Sequence, residues 1–413
     1  MGDGFHDILI LLAFFVEVAV LFYLEMKAWK TLYTPLNFLM LPYVVILLLT
    51  VIVSGRFGFV EFYYPSVLLW SVGLLIFAVP SYVLAFVFQR NKRSFQADTT
   101  EVEFPKVAFY ISIPVILLFL WRLKTMLGGP YLIGSDEFGE EFCGGGLWGH
   151  LRQLLLPILA MAVFFVDKKH KWLWLIIIPI IVITLLYQVK GWVIIPCLTG
   201  LILRLYYGRT KLKLSFMLYL VLGVFLFFLL SYILVLVVAG ESILNGQFVS
   251  AIFGHFLHYL TSGTLGLSMD MQNGFPDVGE FDIVIAQLVN IGNLFVGDDM
   301  IVPLNPLFYN TGYSITNVRT LFGTVFINSG YWVSIVYFLF LSTAMYFLRL
   351  ATVRFNNIFV VAIYFFECSL LFMGWFDTYF ALLQVIEIPA ILIVLLFVDR
   401  ACCSKSVKSN HYD

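Results

Sequence analysis

Runs of roughly twenty apolar residues, the length that crosses a bilayer, recur along this 413-residue chain. A soluble domain carries about 25% charged residues, whereas this sequence has 12% charged and 62% hydrophobic residues and a mean hydropathy of +0.97. So few charges cannot cover a water-facing surface, and lipid must therefore solvate most of the chain. The sequence predicts an integral membrane protein.

The apolar runs predict an all-α polytopic membrane protein, organised as a single membrane domain over residues 1–413. Because a helix needs about 20 apolar residues to cross the hydrocarbon core, we expect about eleven transmembrane helices. The predicted spans are 6–24, 35–54, 65–88, 107–127, 152–166, 172–189, 191–207, 214–240, 323–348, 358–375 and 380–398.

Basic residues predict the orientation, since Lys and Arg accumulate in cytoplasmic connections. Of the 24 basic residues, 18 fall in one set of connections and 6 in the other. The larger set is Lys27, Lys30, Arg90, Lys92, Arg93, Lys106, Lys168, Lys169, Lys171, Arg204, Arg209, Lys211, Lys213, Arg349, Arg354, Arg400, Lys405 and Lys408. We therefore expect the N-terminus and the segment near Asp277 outside and the C-terminus in the cytoplasm.

Two of the predicted outer connections are longer than turns. The first outer loop covers residues 128–151, and a long outer loop over 241–322 precedes the ninth span. Loops beyond about 15 residues are usually functional or disordered, and apolar residues throughout the long loop argue against disorder. Within it, residues 247–262 have helical spacing and predict an amphipathic helix on the membrane surface.

Cations on the predicted outer side are the first functional candidates, because each one departs from the charge bias. Arg152 begins the fifth span, Lys190 lies at the tip of the tight hairpin formed by the sixth and seventh, and Arg319 precedes the ninth. Together they could bind a diphosphate, since Arg contacts phosphate oxygens in pairs and Lys supplies a point charge. The alternative is that each snorkels to lipid headgroups.

Histidines of the predicted surface helix are candidates for proton transfer. His255 and His258 share a helical face with Tyr259 and Ser262. A histidine pKa lies near working pH, so His258 is the first choice as general base for a sugar hydroxyl, with His255 second. Glu137, in the acidic cluster of the first outer loop, is third. The alternatives are a solvated helix face or a metal bound by the histidines, although no local Glu or Cys completes a ligand set.

Buried polar residues within the predicted spans are few, the main ones being Glu17, Asn37, Glu367 and Glu387. An ion-driven transporter would be expected to have more ionisable groups at mid-membrane depth. Their scarcity favours a reaction at the outer face over passage through the membrane.

Three segments resemble the oligosaccharide repeat-unit polymerases of bacterial surface polysaccharide assembly, the Wzy-type O-antigen and capsule polymerases. Tyr187-Gln188-Val189-Lys190-Gly191 is similar to the family's basic-Gly turn, and Tyr259-Leu260-Thr261-Ser262-Gly263 to its Tyr-Leu-x-Ser-Gly segment. Asn317-Val318-Arg319-Thr320, leading to Gly323-Thr324-Val325-Phe326-Ile327-Asn328-Ser329-Gly330, resembles the entry to its late helix pair. The chain departs from the family in having Lys190 for Arg and Asn328-Ser329-Gly330 for an Asp-Phe-Gly-like triplet.

The resemblance implies a GT-C-like, metal-independent glycosyltransferase without a cofactor, in the bacterial cytoplasmic membrane. Its substrates would be undecaprenyl-diphosphate-linked glycans, and its partners a chain-length regulator and a flippase, with no nucleic acid. It would transfer a growing glycan from the lipid diphosphate to the terminal sugar of an incoming repeat unit. Cations at the membrane surface would stabilise the leaving diphosphate.

Three alternatives remain open. An O-antigen ligase shares this architecture and transfers the glycan to lipid A core instead. A flippase or transporter is disfavoured by the long outer loop and by the few charges at mid-membrane depth. A structural subunit explains the hydrophobicity but not the outer cations.

Overall fold

A computed structural model of the chain describes residues 3–89, 102, 104–129, 133, 135–187, 189–239, 246–275 and 279–409. Asp277, for which an outer location was predicted, lies outside these residues, as do the predicted cytoplasmic cations Arg90, Lys92 and Arg93.

The described chain consists almost entirely of helices, because backbone groups in lipid must form their hydrogen bonds within the chain. The helices are α1 Asp3–Trp29, α2 Pro35–Val53, α3 Val67–Gln89, α4 Lys106–Met126, α5 Asp136–Cys143, α6 Gly146–Phe165, α7 Trp174–Leu186, α8 Gly191–Tyr206, α9 Leu214–Ala239, α10 Gly246–Gln272, α11 Phe281–Val284, α12 Ala286–Val296, α13 Thr320–Phe355, α14 Ile358–Phe372 and α15 Gln384–Ser409. One small hairpin pairs β1 Tyr309–Asn310 antiparallel with β2 Ile315–Thr316.

Seven helical stretches among the described residues are long and apolar enough to cross a membrane. They are Phe5–Trp29, Pro35–Val53, Tyr64–Phe88, Lys106–Met126, Gly146–Phe165, Thr320–Phe355 and Ile358–Trp375. Shorter apolar helices cover Lys171–Leu186, Gly191–Tyr206, Leu222–Ser231 and Ala286–Val296. The predicted class, an all-α polytopic membrane protein, is therefore confirmed, and a helix overlaps each of the eleven predicted spans.

The chain forms two compact units. Unit 1 comprises Met1–Ala97, Phe253–Phe355 and Glu367–Val385, and unit 2 comprises Asp98–Ile252, Asn356–Phe366 and Ile386–Asp413. In unit 1, α3 packs against both α1 and α13, and in unit 2, α6 packs against α4, α7 and α8.

A buried hydrogen-bond network joins three helices of unit 1. The Trp29 indole donates to Ser81 Oγ at 2.9 Å, and Ser81 Oγ donates to Glu25 Oε2 at 2.8 Å. The Tyr346 hydroxyl of α13 donates to the other oxygen of Glu25. A carboxyl group in an apolar bundle needs such donors, and here they connect α1, α3 and α13.

Helix α13 bends sharply at Gly330, where φ is 66° and ψ is −174°. Such a conformation is accessible to glycine at little cost and breaks the helical hydrogen-bond ladder. Residues 320–328, before the bend, are all buried. The predicted ninth span, 323–348, is therefore part of a longer element whose first nine residues are enclosed in unit 1.

The predicted long outer loop contains α10, α11, α12 and the β-hairpin. The expected helix at 247–262 is present, but it continues to Gln272. Residues 261–268 are buried without exception, so unit 1 encloses this part of α10.

Candidate functional site

Helix α10 carries the histidines and approaches two other backbone segments of unit 1 closely. A Cβ added at Gly263 would collide with the carbonyl oxygen of Phe376, and one at Gly266 with that of Val318. Since a side chain at either position would separate the segments, these glycines allow α10 to bring its residues into the same region as the loops at 318 and 376.

Arg319 and Asp270 form an ion pair in the interior of unit 1, and neither side chain is exposed. Arg319 also donates from Nη2 to the Leu307 carbonyl at 3.0 Å and from Nη1 to the Val318 carbonyl at 3.1 Å. The Tyr309 ring lies 4.6 Å from its guanidinium carbon. Burial raises the pKa of Asp270, and the Arg319 charge opposes that increase. Arg319 thus joins the end of α10 to the segment entering α13, and its donors are directed at protein groups.

Thr320, the first residue of α13, has a φ of +68°, which is strained for a β-branched residue. Its N–H donates to the Phe376 carbonyl at 3.1 Å, and its hydroxyl oxygen accepts from the Trp70 indole at 3.2 Å and from the Gly323 N–H at 3.3 Å. These contacts from separate segments hold the strained backbone in place and fix the start of the enclosed part of α13, residues 320–328.

Asp377 is an acid that the sequence analysis did not select. Its carboxylate accepts hydrogen bonds from Thr324 Oγ1 at 2.5 Å and from the Thr378 N–H at 2.7 Å. Burial nevertheless raises the pKa of Asp377 to about 6. The preceding residue, Phe376, stacks on Tyr259 of α10 with ring centroids 4.7 Å apart. Asp377 is therefore a second candidate base in unit 1, poised near neutral pH.

The two histidines of α10 face the β-hairpin. His258 Nδ1 lies 3.1 Å from Thr311 Oγ1, and the His255 ring meets the Tyr313 ring edge-on at 5.2 Å. Both histidines are half-buried. Burial lowers the pKa of His258, a backbone hydrogen bond with Ile315 opposes this, and the nearby His255 adds to it. His258 is accordingly neutral at neutral pH, as a general base must be.

Arg152 and Lys190 are associated with the same turn in unit 2. Arg152 is 1% exposed, and its guanidinium carbon lies 3.5 Å from the centroid of the Tyr187 ring. Tyr187 ends α7, and Lys190 precedes α8 with its amine 5.1 Å from the Phe228 ring. Within the described residues, Arg152 Nε and Nη1 have no hydrogen-bond partner. The predicted tip of the tight hairpin therefore lies beside the buried Arg152, whose Nε and Nη1 atoms have no hydrogen-bond acceptor among the described residues.

Helix α5 packs beside this turn and carries Glu137. A Cβ added at Gly139 would lie 2.9 Å from the Leu186 carbonyl and 3.2 Å from that of Tyr187. The Glu137 side chain is exposed at the start of α5. Its own backbone N–H and the Ser135 hydroxyl lower its pKa. A lowered pKa makes Glu137 a weaker base than Asp377, whose pKa is raised.

The six predicted site residues are thus divided between the units. Arg319, His255 and His258 belong to unit 1, whereas Arg152, Lys190 and Glu137 belong to unit 2. Among the described residues, no group of three or more His, Cys, Asp or Glu side chains could hold a metal ion.

A family described as a family of unknown function, DUF6337, matches residues 58–405. The chain belongs to this family. No curated protein and no solved structure matches it. In this DUF6337 member the matched region contains all six predicted site residues together with Asp270 and Asp377, while α1 and α2 precede it.

Proposed function

We propose that this protein is a membrane-embedded, metal-independent glycosyltransferase that polymerises undecaprenyl-diphosphate-linked oligosaccharide repeat units into surface polysaccharide. The reaction would take place at the outer face of the bacterial cytoplasmic membrane, with the N-terminus outside and the C-terminus in the cytoplasm. The polytopic helical fold and the three family-like segments support this proposal. The strongest support is that Arg152 is buried while its Nε and Nη1 atoms have no hydrogen-bond partner among the described residues.

Arg152 is suited to binding a phosphate group. A buried cation without a carboxylate partner is unfavourable by about 3–5 kcal/mol. The Tyr187 ring and the Cys143 thiol, which both interact with Arg152, replace only part of the lost hydration. The Nε and Nη1 atoms of Arg152 keep N–H groups without a partner among the described residues, and a phosphate oxygen can accept a charge-assisted hydrogen bond from either of them. A diphosphate bound there completes the hydrogen bonding that the described residues leave open.

Lys190 would supply a second positive charge near the same turn. It is half-buried, and its flexible stem allows the amine to follow the charge that develops on the leaving group. With Arg152 it stabilises the departing lipid diphosphate without a metal ion. Both residues belong to unit 2, so the two cations lie within one compact unit.

Arg319 has a different task in this proposal. Its guanidinium already pairs with Asp270 and donates to two carbonyl groups, so it serves as a positioning residue for the segment that enters α13.

The base removes the proton of the acceptor hydroxyl as its oxygen attacks the anomeric carbon of the growing glycan. The bond from that carbon to the diphosphate oxygen breaks, and the diphosphate leaves with the electron pair. His258 is the first candidate for the base because burial keeps it neutral, and Asp377 is the second because its pKa is raised to about 6. His255 and Glu137 follow them.

Deleting the gene tests the proposal through the glycan that accumulates. A polymerase deletion leaves single repeat units on the final acceptor, with no ladder, because flipping and ligation continue. Loss of an O-antigen ligase would instead strand long chains on the carrier lipid, and loss of a flippase would trap single units on the cytoplasmic leaflet. A full ladder in the deletion strain would exclude the polymerase, and complementation with the wild-type gene is the control.

A further inference from the structure

A second polar region of unit 2 lies at the opposite end of its helices from the Lys190 turn. A cavity of about 550 Å³ opens there, where α6 and α8 end and where α4 and α7 begin. Its lining includes Phe104, Phe165, Lys168, Lys169, His170 and Arg209. The proposed polymerisation uses none of these residues.

The turn that carries the two lysines is held in a fixed shape by Asp167. One oxygen of Asp167 accepts from the Lys169 N–H at 2.8 Å and from the His170 N–H at 2.9 Å, and it lies 3.0 Å from His170 Nδ1. The His170 ring stacks on Phe104 with centroids 4.6 Å apart. Because these contacts fix the backbone, Lys168 and Lys169 are presented from a defined turn.

Arg204 satisfies the carbonyl groups at the end of α6, so the other cations are not needed there. Its Nη1 donates to the carbonyls of Val163 at 3.2 Å, Phe164 at 3.0 Å and Val166 at 2.6 Å. Ion pairs among the described residues do not involve Lys168, Lys169 or Arg209. Positive charge at the cavity therefore exceeds the single negative charge of Asp167.

The cavity has an apolar side as well. Phe165 meets Phe104 edge-on at 5.1 Å, and the Arg209 guanidinium lies 4.4 Å from the Phe164 ring. Helices α4 and α6, whose ends form the cavity, are both long and apolar enough to cross a membrane. Cations at the ends of such helices lie at headgroup level, and the phenylalanines lie beside them where an acyl chain begins.

We infer that this cavity binds the phosphate group of an anionic membrane lipid through Lys168, Lys169 and Arg209. The inference is independent of the proposed polymerisation, because it concerns other residues and another end of unit 2.

Lipid binding by the purified full-length protein tests this inference. Native mass spectrometry measures the affinity for phosphatidylglycerol and for phosphatidylcholine, in the wild type and in a Lys169→Gln/Arg209→Gln variant. A Lys211→Gln/Lys213→Gln variant is the matched control, since it removes the same amount of charge from the connection that carries Arg209 but outside the cavity lining. A Lys169→Arg/Arg209→Lys variant keeps the charge and controls for folding.

We expect the wild type to prefer phosphatidylglycerol over phosphatidylcholine by about tenfold or more, given the contribution of each basic residue near anionic lipid. Lys169→Gln/Arg209→Gln should remove this preference, while the control and charge-keeping variants retain it. Equal losses in the cavity and control variants would show a non-specific surface effect and overturn the inference. If inorganic phosphate displaced the lipid and stabilised the protein equally well, the ligand would be free phosphate and not a lipid, and the inference would be wrong.

Discussion

Arg319 and Asp270 lie 49 positions apart in the sequence (319 − 270), yet they form a fully buried ion pair in unit 1. A buried pair of this kind contributes less through its own attraction than through the penalty for losing one partner. The pair therefore fixes where α10 meets the segment that enters α13.

Arg319→Ala should lower the free energy of unfolding by about 3–5 kcal/mol, because Asp270 would remain buried without its cation. The double variant Arg319→Met/Asp270→Leu should recover most of the loss, since it leaves no unpaired charge. Thermal unfolding of the purified protein measures both, with exposed Arg56→Ala as the control. Loss of polymer in an Arg319→Ala protein of unchanged stability would make Arg319 a direct substrate ligand.

Arg152→Ala should reduce polymerisation by about 10²–10³, as expected for a lost charge-stabilising donor. Lys190→Ala should reduce it as well, whereas Lys190→Arg should retain activity if charge alone is required. The measurement is glycan chain length at matched protein levels, and exposed Lys124→Ala is the control. Wild-type chain lengths in both alanine variants would refute the diphosphate site.

His258→Ala should reduce polymerisation by about 10²–10⁴ if His258 is the base. His255→Ala should have a smaller effect, and exposed His6→Ala should have none. In vitro polymerisation with lipid-linked repeat units measures the rate. A normal rate in His258→Ala combined with a large loss in Asp377→Asn would transfer the role of base to Asp377.

Asp377 should make stability depend on pH in a defined direction. Burial raises its pKa in the folded state from the ordinary 3.8 to about 6, so the folded protein binds this proton more tightly than the unfolded chain. This contribution is fully present below pH 3.8 and is lost as the pH rises through 6. Melting temperature against pH should show this loss in the wild type and not in Asp377→Asn.

Thr324→Val offers a second readout of the same group. Removing the Thr324 hydrogen bond disfavours the charged carboxylate, so the pKa of Asp377 should rise and the pH-dependent loss should move to higher pH. Thr343→Val, which removes a hydroxyl that donates to the Leu339 carbonyl of its own helix, is the control. Identical profiles for the wild type and Thr324→Val would contradict this coupling.

Cysteine labelling in intact cells should establish the orientation. Cys402 and the side chain at Asp299 are both exposed, so each position is accessible to a reagent. Asp299→Cys, in a Cys402→Ser/Cys403→Ser background, should react with an impermeant maleimide before lysis. Cys402 should react only after lysis. The reverse pattern would invert the topology and place the proposed site on the wrong face.

The sequence by itself determined the class of protein and the approximate positions of its eleven apolar helices, but not those of α5, α11 and α12. Long apolar runs have one stable conformation in lipid, because helices satisfy their backbone hydrogen bonds locally. Local chemistry also located the tight turn near Lys190 and the helix that carries His255 and His258. It did not locate the Gly330 bend, since a glycine within an apolar run leaves hydropathy unchanged.

Only the tertiary structure decided which charges are available for chemistry. In the sequence, Asp270 was one acid among many in a long connection, and Asp377 had no neighbouring motif. In the structure, Asp270 pairs with Arg319 and Asp377 accepts a hydrogen bond from Thr324. Arg152 and Arg319 have the same side chain, but only Arg319 forms an ion pair with a carboxylate among the described residues, whereas the Arg152 guanidinium lies against the Tyr187 ring. Burial and pairing depend on residues distant along the chain, and a local sequence pattern contains no record of those contacts.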